Sequence, residues 1–305
     1  MMFMIVRTGS GRKYARRIGQ ELKRVNPHNK WLIPSVSYFP ESFRSRPHLN
    51  PRNTLIHSRA AYPDGPNWVR NLVAKEAEGY RVVNTTSVLR QTSNKLDCAM
   101  FMYDAGLPHP RSWEAKTSYD EGLMRRLWYV MNSDYNVHKV VVKPYTSMDQ
   151  GANVKVAETY EQFARAVRGM TTGKVVVQEC IDYTAIFRVV VIDGRALPMS
   201  WVDRPTPQRW RVSVCLNRNM QFVRSPDLEL LRVAEDTQAV IGGEINFVDI
   251  FQTASGRYIL SEINTACNLT IHEGMAKAAG HVNWNIAHYI AKYLDGAARG
   301  MHGYY

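Results

Sequence analysis

The chain has 305 residues, of which 45% are hydrophobic and 22% charged, with a formal net charge of +12. That length can bury a full core and divide into two or three lobes, and the composition excludes a disordered chain. The four cysteines, Cys98, Cys180, Cys215 and Cys267, are far apart and form no C-x-x-C or Cys/His cluster, which argues against a disulfide framework or a zinc site.

Phe3–Val6 predicts a short strand, Gly9 and Gly11 a turn, and Arg12–Val25 a helix stopped by Asn26-Pro27. The opening Met1–Val6 is too short for a signal-peptide apolar core and runs straight into Arg7. No segment approaches the length of a membrane span, so the expected compartment is the cytoplasm. Leu55–His57 and Tyr80–Val83 predict further strands around a helix at Trp68–Ala77. This alternation favours a mostly parallel sheet in an N-terminal α/β lobe, residues 1–90.

Gly9-Ser10-Gly11 fails the dinucleotide pattern because Tyr14 stands where the third glycine belongs. Gly169–Gly173-Lys174 fails as a phosphate loop, its glycines one residue too close and no Ser or Thr after the lysine. The basic residues Arg12, Lys13, Arg16, Arg17, Lys23 and Arg24 fall on the first helix, and Arg44, Arg46 and Arg52 in a proline-containing loop. Such charge can steer an anionic partner. Few aromatic residues interleave with it, so no platform for stacking bases is signalled and a solvated basic face is the expectation.

Asn94–Ala105 reads as an amphipathic helix ending at Gly106, followed by an extended, proline-limited segment to Pro110. Val140–Pro144 and Ala152–Val156 predict strands, Tyr160–Arg168 a helix, and Val175–Glu179 and Phe187–Ile192 further strands, with a tight turn at Asp193-Gly194. Near the C-terminus, two apolar strands flank a turn at Thr253–Gly256. If Gln252 pairs with Arg257, Asp249 faces Leu260, and Asp249, Glu262 and Asn264 share one face of the hairpin. A loop one residue shorter would turn Asp249 to the other side. Two carboxylates and an amide oxygen on one face suit a hard cation such as Mg²⁺; a half-buried hairpin with a solvated outer face accounts for the same segment. His272 and Glu273 follow on an expected helix N-terminus, where an acid is favoured by the dipole and capping is the expected role.

In order and spacing, Lys95 through Gly106-Leu-Pro-His-Pro110, Val141-Val-Lys143-Pro144, Val177-Gln178-Glu179-Cys180-Ile181, Phe187-Arg188-Val189 through Gly194, and Asp249-Ile250 with Gly256 through Glu262-Ile263-Asn264 form one series. The series resembles the ATP-grasp superfamily, in its RimK and glutathione-synthetase-like branch of carboxylate–amine ligases, over Asn84 to Gly280. The resemblance implies an α/β fold in which two sheet-containing lobes clasp ATP behind a small N-terminal lobe. The lobes would be residues 91–173 and 174–305. It implies Lys95 and Lys143 on the phosphates, and Gln178, Glu179, Cys180 and Ile181 at the adenine and ribose. Asp249, Glu262 and Asn264 would hold Mg²⁺, or Mn²⁺ in its place. Arg188, with Arg204 and Arg211 as outside candidates, would be the fixed cation near a tetrahedral oxyanion.

The implied reaction joins a small-molecule or polypeptide carboxylate to an amine through an acyl phosphate, releasing ADP and phosphate. The chain departs from the pattern in four places: a single glycine, Gly151, in the loop after Lys143; Phe187 where an acid is usual; Ser213 in an Arg-x-Asn element; and Thr265–Leu269 after the hairpin. Two other readings stand beside the ligase. One is a non-catalytic nucleotide binder whose basic lobe holds nucleic acid or an acidic partner. The other is a phosphotransferase. Nucleic acid is the less favoured partner, a membrane is not expected, and a homo-oligomer is left open.

Overall fold

A computed structural model describes residues 1–7, 11–59, 66–145, 154–206, 220–267, 269–281 and 285–300. Its strands form three sheets. The first is parallel, in the order β2 (Lys30–Leu32), β1 (Met2–Arg7), β3 (Thr54–Arg59) and β4 (Arg81–Val83). All residues of β3 are buried, as a parallel strand covered on both faces requires. α1 (Arg12–Val25) follows β1 and buries Ala15, Ile18 and Leu22, a stripe at helical spacing. α2 (Phe39–Arg44) and α3 (Pro66–Ala77) complete the connections. The expected parallel sheet and its first helix are both present; the short β2 and α2 carried no clear periodic signal.

The second sheet is antiparallel, in the order β5 (Ser112–Lys116), β8 (Lys174–Glu179), β6 (Val140–Pro144) and β7 (Lys155–Ala157). α6 (Glu121–Tyr129) and α7 (Tyr160–Arg168) cover one face, where Val140, Val142, Val175 and Val177 meet Met124 and Phe163. Alternation sends Lys143 and Gln178 to the other face. The expected boundary after residue 173 falls one residue before β8 begins, but β8 pairs with β5 and β6, so the small lobe runs through Glu179.

The third sheet is antiparallel, ordered β11 (Gln221–Arg224), β10 (Arg195–Asp203), β9 (Tyr183–Ile192), β12 (Ile245–Thr253) and β13 (Tyr258–Asn264). The turn between β9 and β10 holds Asp193 at φ 54 and Gly194 at φ 76, the positive angles a two-residue hairpin demands. One face of this sheet packs on α4 (Thr86–Ser93), α5 (Lys95–Asp104) and α8 (Leu228–Ile241), burying Val88, Cys98, Met102 and Leu230 against Val189 and Val248. α5 therefore belongs with the large sheet rather than the small lobe expected over 91–173. The opposite face shares a core with the N-terminal lobe: Phe3, Ile18 and Leu22 join Val190, Phe247, Ile290 and Leu294.

α9 (Leu269–Ala278) and α10 (Ile286–Gly300) close the chain, α10 lying along α1. Buried Asn84 ties the lobes together. Its Oδ1 accepts from the N–H groups of Glu244 (2.7 Å) and Ile245 (2.9 Å), and its Nδ2 donates to the Ile245 carbonyl at 2.7 Å. Among the described residues no helix is long and apolar enough to cross a membrane.

Candidate active site

The β12–β13 hairpin brings its polar residues together by a route different from the expected one. Gln252 pairs with Tyr258 and Ile250 with Leu260; the register then shifts, so that Asp249 stands opposite Glu262 and Phe247 opposite Asn264. The turn takes up both Thr253 and Arg257, whose N–H and carbonyl bond at 3.0 Å. Ser261 is the extra residue of a bulge. The expected pairings of Gln252 with Arg257 and Asp249 with Leu260 are not formed. Because the bulge restores the alternation, Asp249, Glu262 and Asn264 still lie on one face.

β9 supplies the partner of Asp249. Arg188 is opposite Asp249 in the ladder, and its Nε and Nη2 donate to Oδ1 and Oδ2 at 2.6 Å each. Both side chains are almost fully buried. Nη1 of Arg188 donates to Cys267 Sγ at 3.2 Å. Burial pushes the Asp249 carboxyl up from the ordinary range, against the opposing pull of the Arg188 guanidinium. Arg188, expected as the fixed cation near an oxyanion, is held in place by its two bonds to Asp249. Each Asp249 oxygen keeps a second lone pair for another ligand.

Glu262 faces the cations. Lys95, the first residue of α5, places Nζ 3.6 Å from Glu262 Oε1. Asn94 caps that helix, its Oδ1 accepting from Leu96 and Asp97 N–H, and so fixes where Lys95 emerges. Burial alone would raise the Glu262 carboxyl; Lys95, Lys143 and Arg188 outweigh it and hold the carboxyl below the ordinary range. Lys143, half-buried beside Lys95, is pushed down to about 7, by desolvation first and by its neighbouring ammonium second. Its Nζ donates to Gln178 Oε1 at 2.7 Å, and Gln178 Nε2 donates to Ser112 Oγ at 2.8 Å. Lys95, Lys143, Gln178 and Glu262 line one cavity of 60 Å³ together with His109 and Cys98. Among the described residues no three His, Cys, Asp or Glu side chains cluster as a metal site; the hairpin offers two carboxylates and the Asn264 amide, whose Nδ2 is buried without a hydrogen-bond partner.

The strand end after Gln178 is partly engaged. Glu179 N–H donates to the Arg111 carbonyl and Cys180 N–H to the Lys139 carbonyl, both at 2.9 Å. The Cys180 amide is thus taken within the lobe, which leaves the Cys180 carbonyl and the Ile181 backbone as the parts of this segment that an adenine edge could use. Gln178 acts on Lys143 rather than on a base, because strand alternation aims it at the lysine face.

The structure does not bring every expected residue here. Arg204 is exposed beyond the end of β10, its Nη1 donating to Gln221 Oε1 at 3.0 Å, and Arg211 lies outside the described residues. Glu273 does not cap its own helix: Oε1 accepts the Ala287 N–H at 3.1 Å, near the start of α10, and Oε2 lies 2.5 Å from Arg17 Nε. His272 is fully buried against Trp201. His109 escaped the sequence reading. Burial lowers its imidazole to about 4, so it faces the cavity neutral; its place in the Pro108-His109-Pro110 segment was the available signal.

No protein-family model matches the chain, and no curated protein matches it with significance. Solved structures do. The ATP-grasp ligase PsnB complexed with the precursor peptide PsnA2 and AMPPNP is 17% identical and covers 97% of each chain at a TM-score of 0.66. D-alanyl-alanine synthetase A from Vibrio cholerae is 11% identical over 98% of each chain, with a TM-score of 0.69. D-cycloserine synthetase DcsG is 14% identical, covering 96% of this chain and 100% of its own, at 0.64.

Proposed function

We propose that this chain, which has the ATP-grasp fold, is an ATP-dependent ligase joining a carboxylate to an amine through an acyl phosphate. The observation that carries the reading is the convergence, on one cavity, of Lys95 from α5, Lys143 from β6 and Glu262 from β13. Two ammonium groups and an ionised carboxylate brought together at one partly solvent-accessible cavity suit a triphosphate with its divalent cation.

The donor set fits that cation. Glu262 is held ionised by its cationic neighbours, Asp249 retains lone pairs beyond its Arg188 bonds, and the Asn264 amide oxygen, on the same face of the hairpin, is a neutral hard ligand. Asp249, Glu262 and Asn264 would hold Mg²⁺, or Mn²⁺, which supplies charge neutralisation at phosphate oxygens. PsnB is known in complex with Mg and ADP, which supports ATP as the nucleotide here.

The chain's own residues then divide the work. Lys143 and Lys95 neutralise the transferred phosphoryl group, and Gln178 keeps the Lys143 ammonium on its trajectory. Arg188 fixes Asp249. The substrate carboxylate attacks the terminal phosphorus and ADP leaves; the amine attacks the acyl carbon and phosphate leaves. The substrates are a small-molecule or polypeptide carboxylate and an amine. The test is an ADP-release screen of the purified protein with Mg·ATP over amino-acid and polyamine acceptors, with mass spectrometry of the products. ADP formation that requires the carboxylate, with a condensed product lighter by one water than the sum of carboxylate and amine, supports the reading. ADP release that needs no carboxylate contradicts it.

A further inference from the structure

The N-terminal sheet carries a buried cation that the nucleotide site does not use. Arg59 ends β3 and is 6% exposed. Of its five N–H donors, those on Nη2 reach the Cys267 carbonyl, whereas Nε and Nη1 are buried with no hydrogen-bond partner. Among the described residues no carboxylate pairs with it. The titratable groups that act on it are Cys267 and Tyr14, and His57 beside it is held neutral, lowered to about 3 by burial and by Arg59 itself. A guanidinium desolvated without a counter-charge is a standing cost to the folded chain. Proteins keep such a group where an anion completes it.

Its place in the topology gives the second observation. In the order β2-β1-β3-β4 the chain leaves β1 toward one edge and β3 toward the other. The switch point therefore lies between β1 and β3, and a crevice outside the carboxyl ends of strands at such a point is where open α/β sheets take ligands. Arg59 is the last residue of β3, level with Arg7, the last of β1. Cys267, just beyond the β12–β13 hairpin, packs against Arg59: its carbonyl accepts from Arg59 and its Sγ from Arg188. Arg59 and Arg188 thus share Cys267 as a partner, and Arg59 is not among the residues lining the Lys95–Lys143 cavity.

We propose that Arg59 is a substrate-binding residue that grips, by its Nε and Nη1 donors, a carboxylate other than the one that reacts. This rests on the ligase reading and deepens it: one of the two substrates is an amino acid, peptide or dicarboxylic acid with a free carboxylate to spare. A planar fork of donors matches a carboxylate better than an ammonium would, so lysine replaces it poorly. Phosphate presents the same anionic oxygens and is the competing source of charge.

The experiment measures binding of glutarate, L-glutamate, L-glutamine and inorganic phosphate to the full chain by calorimetry and thermal shift, for wild type, Arg59→Met and Arg59→Lys. Glutarate or glutamate is expected to bind wild type and raise its melting temperature, with affinity at least tenfold weaker in R59M and intermediate in R59K. Without ligand, R59M is expected to melt no lower than wild type, since the substitution removes an uncompensated buried charge. A guanidinium kept only for structure would give the opposite, a clear fall in melting temperature. That fall, equal carboxylate affinity in R59M, no carboxylate binding to wild type, or binding of phosphate alone each overturns the proposal. AMPPNP binding and ADP release by wild type test the ligase reading separately, so either idea fails without the other.

Discussion

Arg188 and Asp249 stand opposite each other on adjacent antiparallel strands and share two hydrogen bonds of 2.6 Å inside the protein. The pair lies behind Glu262, which pairs with Asp249 across the hairpin, and its burial makes it a matched unit. Removing either partner strands a charge that has no water to turn to.

Asp249→Leu and Arg188→Met are each expected to lower stability by about 3–5 kcal/mol, the usual loss when a buried pair is broken. The Arg188→Met/Asp249→Leu double variant should recover most of that loss, because it removes both charges. Denaturant unfolding of the four proteins measures the cycle. If the single variants prove as stable as wild type, the pair is not buried as a unit.

Lys143 makes nucleotide binding pH-dependent. Its ammonium is lowered to about 7, so it is charged below that pH and increasingly neutral above it. A bound phosphate favours the charged form and raises the value, so binding above pH 7 takes up a proton. ADP affinity is expected to fall between pH 7 and 9, by up to about tenfold per unit. Lys143→Arg, charged throughout, should flatten the profile. Calorimetry in buffers of different ionisation enthalpy reads the proton uptake; none in wild type, or an equal slope in the arginine variant, contradicts the assignment.

Gln178 is expected to act through Lys143. Gln178→Leu removes the acceptor 2.7 Å from the ammonium, and a loss of about 1.4 kcal/mol, tenfold in ADP affinity, is the expected scale for a hydrogen bond to a charged group. In a Lys143→Met background the same substitution should add almost nothing. Additive losses would show that Gln178 contacts the nucleotide independently.

Much of this arrangement is legible in the sequence, and the rest is hidden for identifiable reasons. Helical spacing marks α1 and α7, and Asp193-Gly194 marks the β9–β10 hairpin, because local sterics decide these elements. The bulge at Ser261 is not local. Nothing in Gly256–Asn264 announces an extra residue, and the shared face of Asp249 and Glu262 emerged from an assumed register the chain does not adopt. The Arg188–Asp249 pair joins residues 61 apart, and only strand order sets them side by side. β8 joined to β5 and β6, and Arg59 level with Arg7, are likewise consequences of sheet order. Periodicity along one strand says nothing about its neighbour.

The measurement that reaches the central claim most directly is hydroxylamine trapping during turnover, with the nucleotide products identified. The account predicts ADP and phosphate, and a substrate hydroxamate that forms only when ATP, Mg²⁺ and the carboxylate are all present and disappears in Glu262→Gln. AMP and pyrophosphate, or a stable phosphorylated product with no hydroxamate, would contradict it.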